Sequence, residues 1–297
     1  MKKMIALALA MLLVLSLFAG CGASTAAGKA EKAYTVTGKF KDTKVSTITP
    51  GKMTVAISPD FAPMEFVDPT KTGQDMYVGF DVFLAKYLAE EMGLELELMP
   101  MDFGACQAAV SMGKVDMSIS GFSWSDEREH NYNLSDYYYA SINEDAQVLI
   151  TLSANGDIYA TAEGLAGARI GAQKSSLQRD LTVTQLSDSE LVQFDNLDDA
   201  VAQLLNGELD CLAVADGNAD AIIAAHPEII KSGFRFVITE KQTGNLILMQ
   251  KGNDAMTEAV NAVLAATEGE WEAWYNEAKS LSGIDLSFDD EGNAITE

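Results

Sequence analysis

Hydrophobic residues in the first half of the chain alternate between strand spacing and helix spacing. Residues 94–98 alternate strictly between apolar and acidic positions, which predicts a strand with one face in water. After Gly79, apolar residues recur with helical spacing as far as Gly93, which predicts a helix. The predicted strand–helix–strand–helix–strand order covers residues 53–57, 79–93, 94–98, 103–112 and 115–119. This order is typical of a mostly parallel sheet covered by helices.

A second set of strands and helices follows a predicted strand at 144–151, which crosses out of the first unit. The elements predicted after it are strands at 169–172, 191–194, 209–215 and 246–249, and helices at 197–205 and 255–281, the last broken near Gly269. Residues 110–116 and 204–210 form a weak repeat of helix, terminating Gly, apolar residue and Asp. The pattern is ordinary between a helix and a strand, but its presence in both halves indicates two similar lobes.

The most informative stretch for function runs from Gly113 to Tyr139. Its predicted strand gives way to the small residues Ser120, Gly121 and Ser123 and then to a helix start that contains Arg128. Backbone N–H groups at such a junction suit an anion, and the guanidinium fork matches a carboxylate. The stretch therefore suggests a site for the carboxylate of a small ligand. An exposed Arg on a polar helix start is the alternative.

Two further loops are expected beside this stretch. In parallel sheets, ligands bind beyond the carboxyl ends of the strands. Residues 58–61 and Phe103 are expected at that edge of the sheet, together with residues 120–123. Pro59 and Pro63 make the first of these loops rigid, since each proline fixes its own φ and restricts its predecessor.

Net charge and the scarcity of metal ligands exclude several function classes. The 297-residue chain carries 44 acidic and 20 basic residues, a formal charge of −24, which argues against nucleic-acid binding. No cluster of Cys and His has metal-ligand spacing, and the two histidines, His130 and His226, are predicted at the surface or its boundary. Cys106 and Cys211 lie in apolar patterns and are predicted to be packed thiols rather than a disulfide.

The amino terminus has the features of an export signal. Lys2 and Lys3 precede an apolar run at 4–18, and Ala19, Gly20 and Cys21 follow, a run too short for a comfortable membrane span. The ending on Cys resembles a bacterial lipoprotein signal that is cleaved before Cys21, whose sulfur then carries a lipid. A plain secretory signal and an uncleaved anchor are the alternatives. Residues 22–51 are predicted to be a flexible tether, although part of 34–48 alternatively packs as an added strand.

Seven short motifs are spread along the chain. They are 58–66 (SPDFAPMEF), 77–81 (YVGFD), 101–103 (MDF), 113–116 (GKVD), 126–128 (DER), 134–139 (LSDYYY) and 171–174 (GAQK). Together they resemble the motifs of bacterial extracellular solute-binding proteins of amino-acid ABC importers, that is, periplasmic binding protein family 3, in its lipoprotein form. The resemblance covers residues 50–281. It implies a type II two-lobed α/β fold, in which each lobe is a mostly parallel sheet flanked by helices and two crossing strands join the lobes.

The resemblance also sets domain boundaries. It implies a signal peptide at 1–20, then a lipidated Cys and tether at 21–51. Lobe 1 is expected to comprise 52–142 and 246–297, and lobe 2 is expected to comprise 143–245. The crossing segments are then expected near 142–145 and 243–246.

Most of the implied ligand-binding residues lie in lobe 1. By resemblance Arg128 grips the α-carboxylate of the ligand, and Ser123 and Gly121 bond that carboxylate or the amine nearby. Phe61 and Phe103 correspond to aromatic residues that sandwich the ligand side chain, with ordinary core packing as the alternative for each.

Lobe 2 is implied to contribute three more residues. Ser176 falls on a hydroxyl near the carboxylate and Gln173 faces the side chain, the alternatives being a helix cap and a solvated loop residue. The Asp that usually pairs with the amine is replaced by Ala215, so Asp216, one residue later, is the expected partner if a bulge brings it in. Ser58 replaces an acidic residue seen in several members, which weakens the case for a basic ligand. Ser175 replaces a common Gly.

The resemblance implies a monomeric, non-enzymatic protein that captures a free amino acid, preferably polar or neutral, and delivers it to an ABC importer permease. The expected location is the extracellular face of the cytoplasmic membrane, reached only through the lipid, with no cofactor, metal or nucleic acid. An enzyme such as a dehydratase on the same fold is an alternative that needs a general acid or base in the cleft. A sensor domain and a binder of another small carboxylate are the remaining alternatives.

Overall fold

The structure is a computed structural model that describes residues 37–139 and 146–283, together with the backbone of 287–288 and 294–295. The elements of its first part are β1 Lys52–Ile57, β2 Asp60–Phe61, β3 Glu65–Val67, β4 Tyr77–Val78, α1 Phe80–Met92, β5 Glu95–Pro100, α2 Phe103–Ser111, β6 Met117–Phe122, α3 Asp126–Asn131 and β7 Tyr132–Leu134. The elements that follow are β8 Gln147–Leu152, β9 Arg169–Gln173, α4 Leu177–Gln185, β10 Glu190–Phe194, α5 Leu197–Leu205, β11 Cys211–Ala215, α6 Asp216–Ala225, β12 Ile229–Arg235, β13 Leu246–Gln250, α7 Asp254–Thr267, α8 Trp271–Leu281, β14 Ser287–Phe288 and β15 Ala294–Ile295.

Two five-stranded sheets organise these elements. The first has the order β5-β1-β6-β13-β7, with β5, β1 and β6 parallel and β13 antiparallel to both of its neighbours. The second has the order β10-β9-β11-β8-β12, with β10, β9 and β11 parallel and β8 antiparallel to β11 and β12. We call the parts built on these sheets lobe 1 and lobe 2. The predicted two-lobed α/β fold is confirmed.

The weak sequence repeat has the same structural role in both lobes. In lobe 1, Asp116 Oδ2 accepts the backbone N–H of Thr54 in β1 at 2.8 Å. In lobe 2, Asp210 Oδ2 accepts the backbone N–H of Arg169 in β9, also at 2.8 Å. Each Asp therefore bonds the start of the parallel strand beside its own strand, which fixes the register of the pair.

The two lobes have separate hydrophobic cores. In lobe 2, buried side chains cover both faces of the sheet. Ile150 and Leu212 belong to one cluster, and Leu149 and Ala213 belong to the other. Neighbouring residues are in different clusters because successive side chains of a strand point to opposite faces. In lobe 1, α2 packs a cluster that includes Phe103 and Phe122 against the sheet. Burial on both faces explains why these strands are almost continuously apolar.

Several element boundaries differ from the sequence-based expectation. Strand β6 runs to Phe122 rather than ending at Ile119, so Ser120 and Gly121 lie in the strand instead of in the loop after it. The small antiparallel sheet of β2, β3 and β4 and the strand β12 were not predicted. The break predicted near Gly269 is confirmed, since a 3₁₀ turn separates α7 from α8.

The described part of the predicted tether, 37–51, packs on lobe 1 and contains no strand. The backbone N–H groups of Thr37 and Lys39 donate to the Glu91 carboxylate at 2.6 and 3.0 Å, and that of Ile48 donates to Asp116 Oδ1 at 2.7 Å. Near the carboxyl terminus, Ser287–Phe288 pairs with Ala294–Ile295.

The predicted signal peptide, Cys21 and the segment 140–145 lie outside the described residues, so the exact domain boundaries stay predictions. Tyr138, which comes shortly before the first predicted crossing, forms an isolated antiparallel bridge with Asn245 of the second. Among the described residues, no helix combines the length and apolar character needed to cross a membrane.

Candidate functional site

The predicted site residues of lobe 1 lie where β2, β6 and α3 meet at the edge of the sheet. Phe61 ends β2, and its ring lies directly over Gly121, where an added Cβ would come within 2.7 Å of Phe61 Cε1. Gly121 also has a φ of +54°, a conformation that L side chains rarely adopt. The ring packs in addition against the buried cluster of lobe 2 that contains Val148 and Val214, so Phe61 lies between the lobes.

Arg128 is buried, with only 4% of its surface exposed, and it contacts both lobes. Its Nη1 donates to the carbonyl oxygen of Ser123 in lobe 1, and its Nη2 donates to the carbonyl oxygen of Ser175 in lobe 2 at 2.8 Å. Its Nε donates to Gln107 Oε1 at 3.3 Å. These bonds use three of the five N–H groups of a guanidinium, which leaves one N–H on each terminal nitrogen for a ligand.

Aromatic rings surround the same guanidinium. Its central carbon lies 5.6 Å from the ring centroid of Phe103 and 5.2 Å from that of Phe122, and the two rings are stacked at 4.8 Å. Burial lowers the pKa of Arg128 to about 10, so the group stays positively charged at neutral pH. A buried cation held by neutral acceptors and aromatic faces is a favourable partner for an anion.

The backbone donor that the sequence suggested at Gly121 is not available to a ligand. The Gly121 N–H points inward and donates to Asp81 Oδ2 at 2.8 Å. This correction follows from the longer β6, which places the residue inside the strand. Any contact from Gly121 to a ligand would therefore use its carbonyl oxygen, while Arg128 remains the cation of the site.

The predicted residues of lobe 2 meet lobe 1 through the segment between β9 and α4. Ser176 is the N-cap of α4, since its Oγ accepts the backbone N–H of Arg179 at 3.1 Å and donates to the carbonyl oxygen of Gln173 at 2.7 Å. Ser175 has a φ of +60°, the left-handed conformation that favours glycine. This conformation turns its carbonyl oxygen toward Arg128.

Asp60 was not among the predicted site residues, but it bridges the two lobes. Its Oδ2 accepts the backbone N–H of Leu197 at 2.8 Å and Gln173 Nε2 at 3.0 Å, while its Oδ1 accepts Ser58 Oγ at 2.9 Å. Burial raises the pKa of Asp60 to about 6. The only signal in the sequence was an acidic residue between two prolines, immediately after the strand at which ligands are expected.

Asp216 lies in the first turn of α6, and its carboxylate is already paired with cations of lobe 2. Lys231 Nζ lies 2.9 Å from Oδ2, and Arg235 Nη1 lies 3.4 Å from Oδ1. The neighbouring Asn218 donates through Nδ2 to the carbonyl oxygen of Ala62 in lobe 1 at 2.9 Å, so the start of this helix faces the other lobe. The predicted contact of Asp216 with a ligand amine stays a prediction.

Two cavities flank this contact region between the lobes. One, of about 550 Å³, is lined by Arg128 and Gln107 of lobe 1 and by Ser175 and Gln193 of lobe 2. The other, of about 370 Å³, is lined by Asp60 of lobe 1 and Asn218 of lobe 2, among others. The described residues contain no cluster of His, Cys, Asp and Glu suited to a metal ion.

Two α/β lobes with a buried cation, aromatic walls and an anionic side chain where they meet define the class of two-lobed binding proteins that hold a small ligand in a cleft. The sequence profile of the bacterial extracellular solute-binding proteins, family 3, matches residues 53–278. The chain belongs to this family, as the motif resemblance indicated.

Individual relatives and solved structures agree with this assignment. The chain is 27% identical to a probable histidine-binding protein of Campylobacter jejuni, over 67% of this chain and 77% of that one. It is 28% identical to the arginine-binding extracellular protein ArtP of Bacillus subtilis, over 73% and 81% of the two chains. The structure of the amino acid ABC transporter substrate-binding protein AbpA of Streptococcus pneumoniae, bound to L-arginine, aligns with a TM-score of 0.72 at 32% identity, covering 79% of this chain and 97% of that one.

Proposed function

We propose that this protein captures an α-amino acid between its two lobes and delivers it to an ABC-type importer. The observation that carries the proposal is the buried guanidinium of Arg128, which contacts both lobes and keeps two N–H groups for a carboxylate. Charge-assisted hydrogen bonds of this kind contribute about 1.5–3 kcal/mol each. Phe61, Phe103, Ser123, Gln173 and Ser176 are proposed to line the same site, with Asp216 as an acceptor for the ammonium group.

The ligand is proposed to be a cationic amino acid, with Asp60 facing its side chain. The relatives compared above are named for arginine and histidine, so the sequence-based preference for a polar or neutral ligand finds no support among them. Asp60 supplies the anion that the Ser at position 58 does not. Its three donors are all neutral and occupy three of about four acceptor sites of a carboxylate, so a cationic group would be its first charge partner.

The proposal is tested by comparing L-arginine with L-citrulline, which has nearly the same shape but no side-chain charge. Titration calorimetry of the purified protein is expected to show tighter binding of arginine. Because Asp60 must be ionised to hold a cation, arginine affinity should fall as the pH drops below about 6, whereas citrulline affinity should change less.

Substitution of Asp60 shows whether its own charge, rather than the negative charge of the chain as a whole, holds the arginine side chain. D60N should weaken arginine about 10- to 150-fold, the equivalent of one charged hydrogen bond, and change citrulline affinity by less than about threefold, which is well below that range. D198N is the matched control, because Asp198 is exposed and acts on Asp60 only through its charge. Equal losses for both ligands in D60N would contradict the cationic assignment. If the parent binds neither ligand, both the cationic assignment and the proposed capture of an amino acid are contradicted.

Export and anchoring complete the proposed function. Residues 1–20 direct secretion, and Cys21 carries the lipid that holds the protein at the outer face of the cytoplasmic membrane. Ligand capture by the protein requires no catalysis, and the relatives compared are named as binding or substrate-binding proteins. C21A should appear in the medium or accumulate as precursor, and a variant that fractionates and migrates like the parent would rule out the lipid.

A further inference from the structure

Two acidic side chains lie completely buried behind the proposed ligand site. Glu65 in β3 and Asp81 in the first turn of α1 both have no exposed surface. Both come before β6 in the chain, and they contact adjacent residues of that strand, Ser120 and Gly121. Charged side chains are rarely fully buried unless they are paired, so the contacts of these two need a specific explanation.

The donors around the two carboxyl groups leave one oxygen of each without a partner. Asp81 Oδ2 accepts the Gly121 N–H at 2.8 Å and the Tyr138 hydroxyl at 3.1 Å, and Glu65 Oε1 accepts the Ser120 hydroxyl. Glu65 Oε2 and Asp81 Oδ1 accept no hydrogen bond from any described residue. The two side chains are within hydrogen-bonding reach of each other.

Two carboxylates in contact inside a protein cannot both be ionised without a compensating cation. Besides each other, the ionisable groups with the largest effect on Glu65 and Asp81 are Asp60 and Tyr138, and neither of these is a cation. A proton between the two oxygens that lack donors would satisfy both of them and leave a single negative charge.

We propose that Glu65 and Asp81 share one proton, carried by Glu65, and that the pair positions the ligand-binding end of β6. The ionised Asp81 then holds the Gly121 amide and the Tyr138 hydroxyl together, and Tyr138 pairs with the second crossing segment through Asn245. Since Gly121 supports Phe61 in the ligand site, this positioning role rests on the proposed function, whereas the shared proton does not.

The proton belongs on Glu65 because the hydrogen bonds favour ionisation of Asp81. Two donors point at one Asp81 oxygen, and hydrogen bonding to the charged form of a group stabilises that form. Burial, and then the charge of Asp81, raise the pKa of Glu65 well above its usual value. Since this folded-state pKa exceeds the unfolded value, the contribution of Glu65 to stability is present below the unfolded value and is lost as pH rises through the folded one.

Infrared spectroscopy of the purified, ligand-free protein tests the proton directly. At about pH 8, where ordinary carboxyl groups are ionised, the parent should show the carbonyl band of one protonated carboxylic acid, and E65Q should lack it. Identical parent and E65Q spectra in this region would overturn the shared proton. The result is independent of whether the protein binds any amino acid.

Binding by conservative and disruptive variants tests the positioning role. E65Q keeps an N–H for Asp81 and an acceptor for Ser120, so it should bind L-arginine within about threefold of the parent. It should gain thermal stability relative to the parent as the pH rises above the ordinary pKa of a glutamate, because the folded-state pKa of Glu65 is raised. E65L removes both groups and should weaken arginine about fivefold or more, as expected for a buried polar group left unpaired. A folded E65Q that binds as poorly as E65L would overturn the positioning role, even if the proton is present.

Discussion

Burial changes what each ionisable side chain of the site can do. Arg128 loses most of its water but gains carbonyl acceptors from both lobes, which keeps it charged and oriented. Asp60 is partly buried among neutral donors, so its pKa rises to about 6 and it retains capacity for a cation. Asp216 already has Lys231 and Arg235 as partners. These three environments assign a different electrostatic role to each residue.

Asp216 is predicted to serve both the fold and the ligand. D216N should lower the free energy of unfolding by about 1–3 kcal/mol, because Lys231 loses a largely buried partner. It should also weaken L-arginine about tenfold or more if the carboxylate holds the ligand ammonium, as a charged hydrogen bond would. Calorimetric titration and chemical denaturation measure the two effects.

Asp220 supplies the control for this experiment. It pairs with the same Lys231 at 2.6 Å, but its side chain is 35% exposed and lies farther along α6. D220N should change arginine affinity by less than about threefold, since an exposed ion pair contributes roughly 0–1 kcal/mol. If D216N and D220N bind arginine with the same affinity, Asp216 serves only the ion pair with Lys231 and does not hold the ligand ammonium.

Single residues differ in how far the sequence can predict them. Arg128, Phe103 and Ser176 could be proposed from the sequence because each lies in a short segment beside a strand end or a helix start; their contacts with a ligand stay predictions. Asp60 was missed because its role depends on Leu197 and Gln173, which are 137 and 113 residues away along the chain. The ion pairs of Asp216 were missed for the same reason, since β12 had not been predicted.

At the scale of elements, apolar runs predicted the central strands because those strands are covered on both faces, and the helical spacing of apolar residues predicted most helices. The small strands β2, β3 and β4 have two or three residues each, too few to show a period. They nevertheless bring Phe61 and Glu65 to β6. The end of β6 was placed too early because Ser120 and Gly121 are typical of loops, whereas tertiary pairing with β13 continues to Phe122.

The contact between β2 and β6 makes Gly121 sensitive to substitution. G121A should destabilise the fold by about 1 kcal/mol for the positive φ and by about 1–3 kcal/mol more for the collision with the Phe61 ring. Displacement of the ring should also weaken L-arginine binding, by about five- to 150-fold if that second cost falls on the bound state. Thermal unfolding and calorimetric titration measure the two effects.

Gly207 provides a control with the same backbone cost and no collision. Its φ is +71°, and an added Cβ would meet nothing within 4 Å. G207A should therefore lose about 1 kcal/mol of stability and bind arginine like the parent. Weaker arginine binding in G207A would show that general destabilisation, rather than the Phe61 contact, explains any defect of G121A.

At the scale of the whole molecule, the two lobes share one local design and differ in what they bring to the site. Asp116 and Asp210 bond the neighbouring strand in the same way, which the sequence repeat indicated. Lobe 1 contributes the cation and the aromatic rings, while lobe 2 contributes carbonyl, amide and helix-start groups. Sequence patterns could predict each lobe, but the bonds between them join residues far apart in the chain and required the structure.

The central claim is that Arg128 binds the carboxylate of an amino acid between the lobes. Calorimetric titration of the parent and of R128A with L-arginine tests it most directly. Removal of one partner from a buried charge pair costs about 2–5 kcal/mol, so R128A should bind about thirty- to several-thousand-fold more weakly. R128K should also bind poorly, because an ammonium keeps the charge but loses the planar fork.

Arg179 is the control for this measurement, because it lines the same cavity but its side chain is 41% exposed and pairs with Asp180. R179A should bind L-arginine like the parent, and a large loss in R128A alone would agree with the account. If R128A binds within about threefold of the parent, a change far below the expected cost, the carboxylate is held elsewhere and the central claim is wrong.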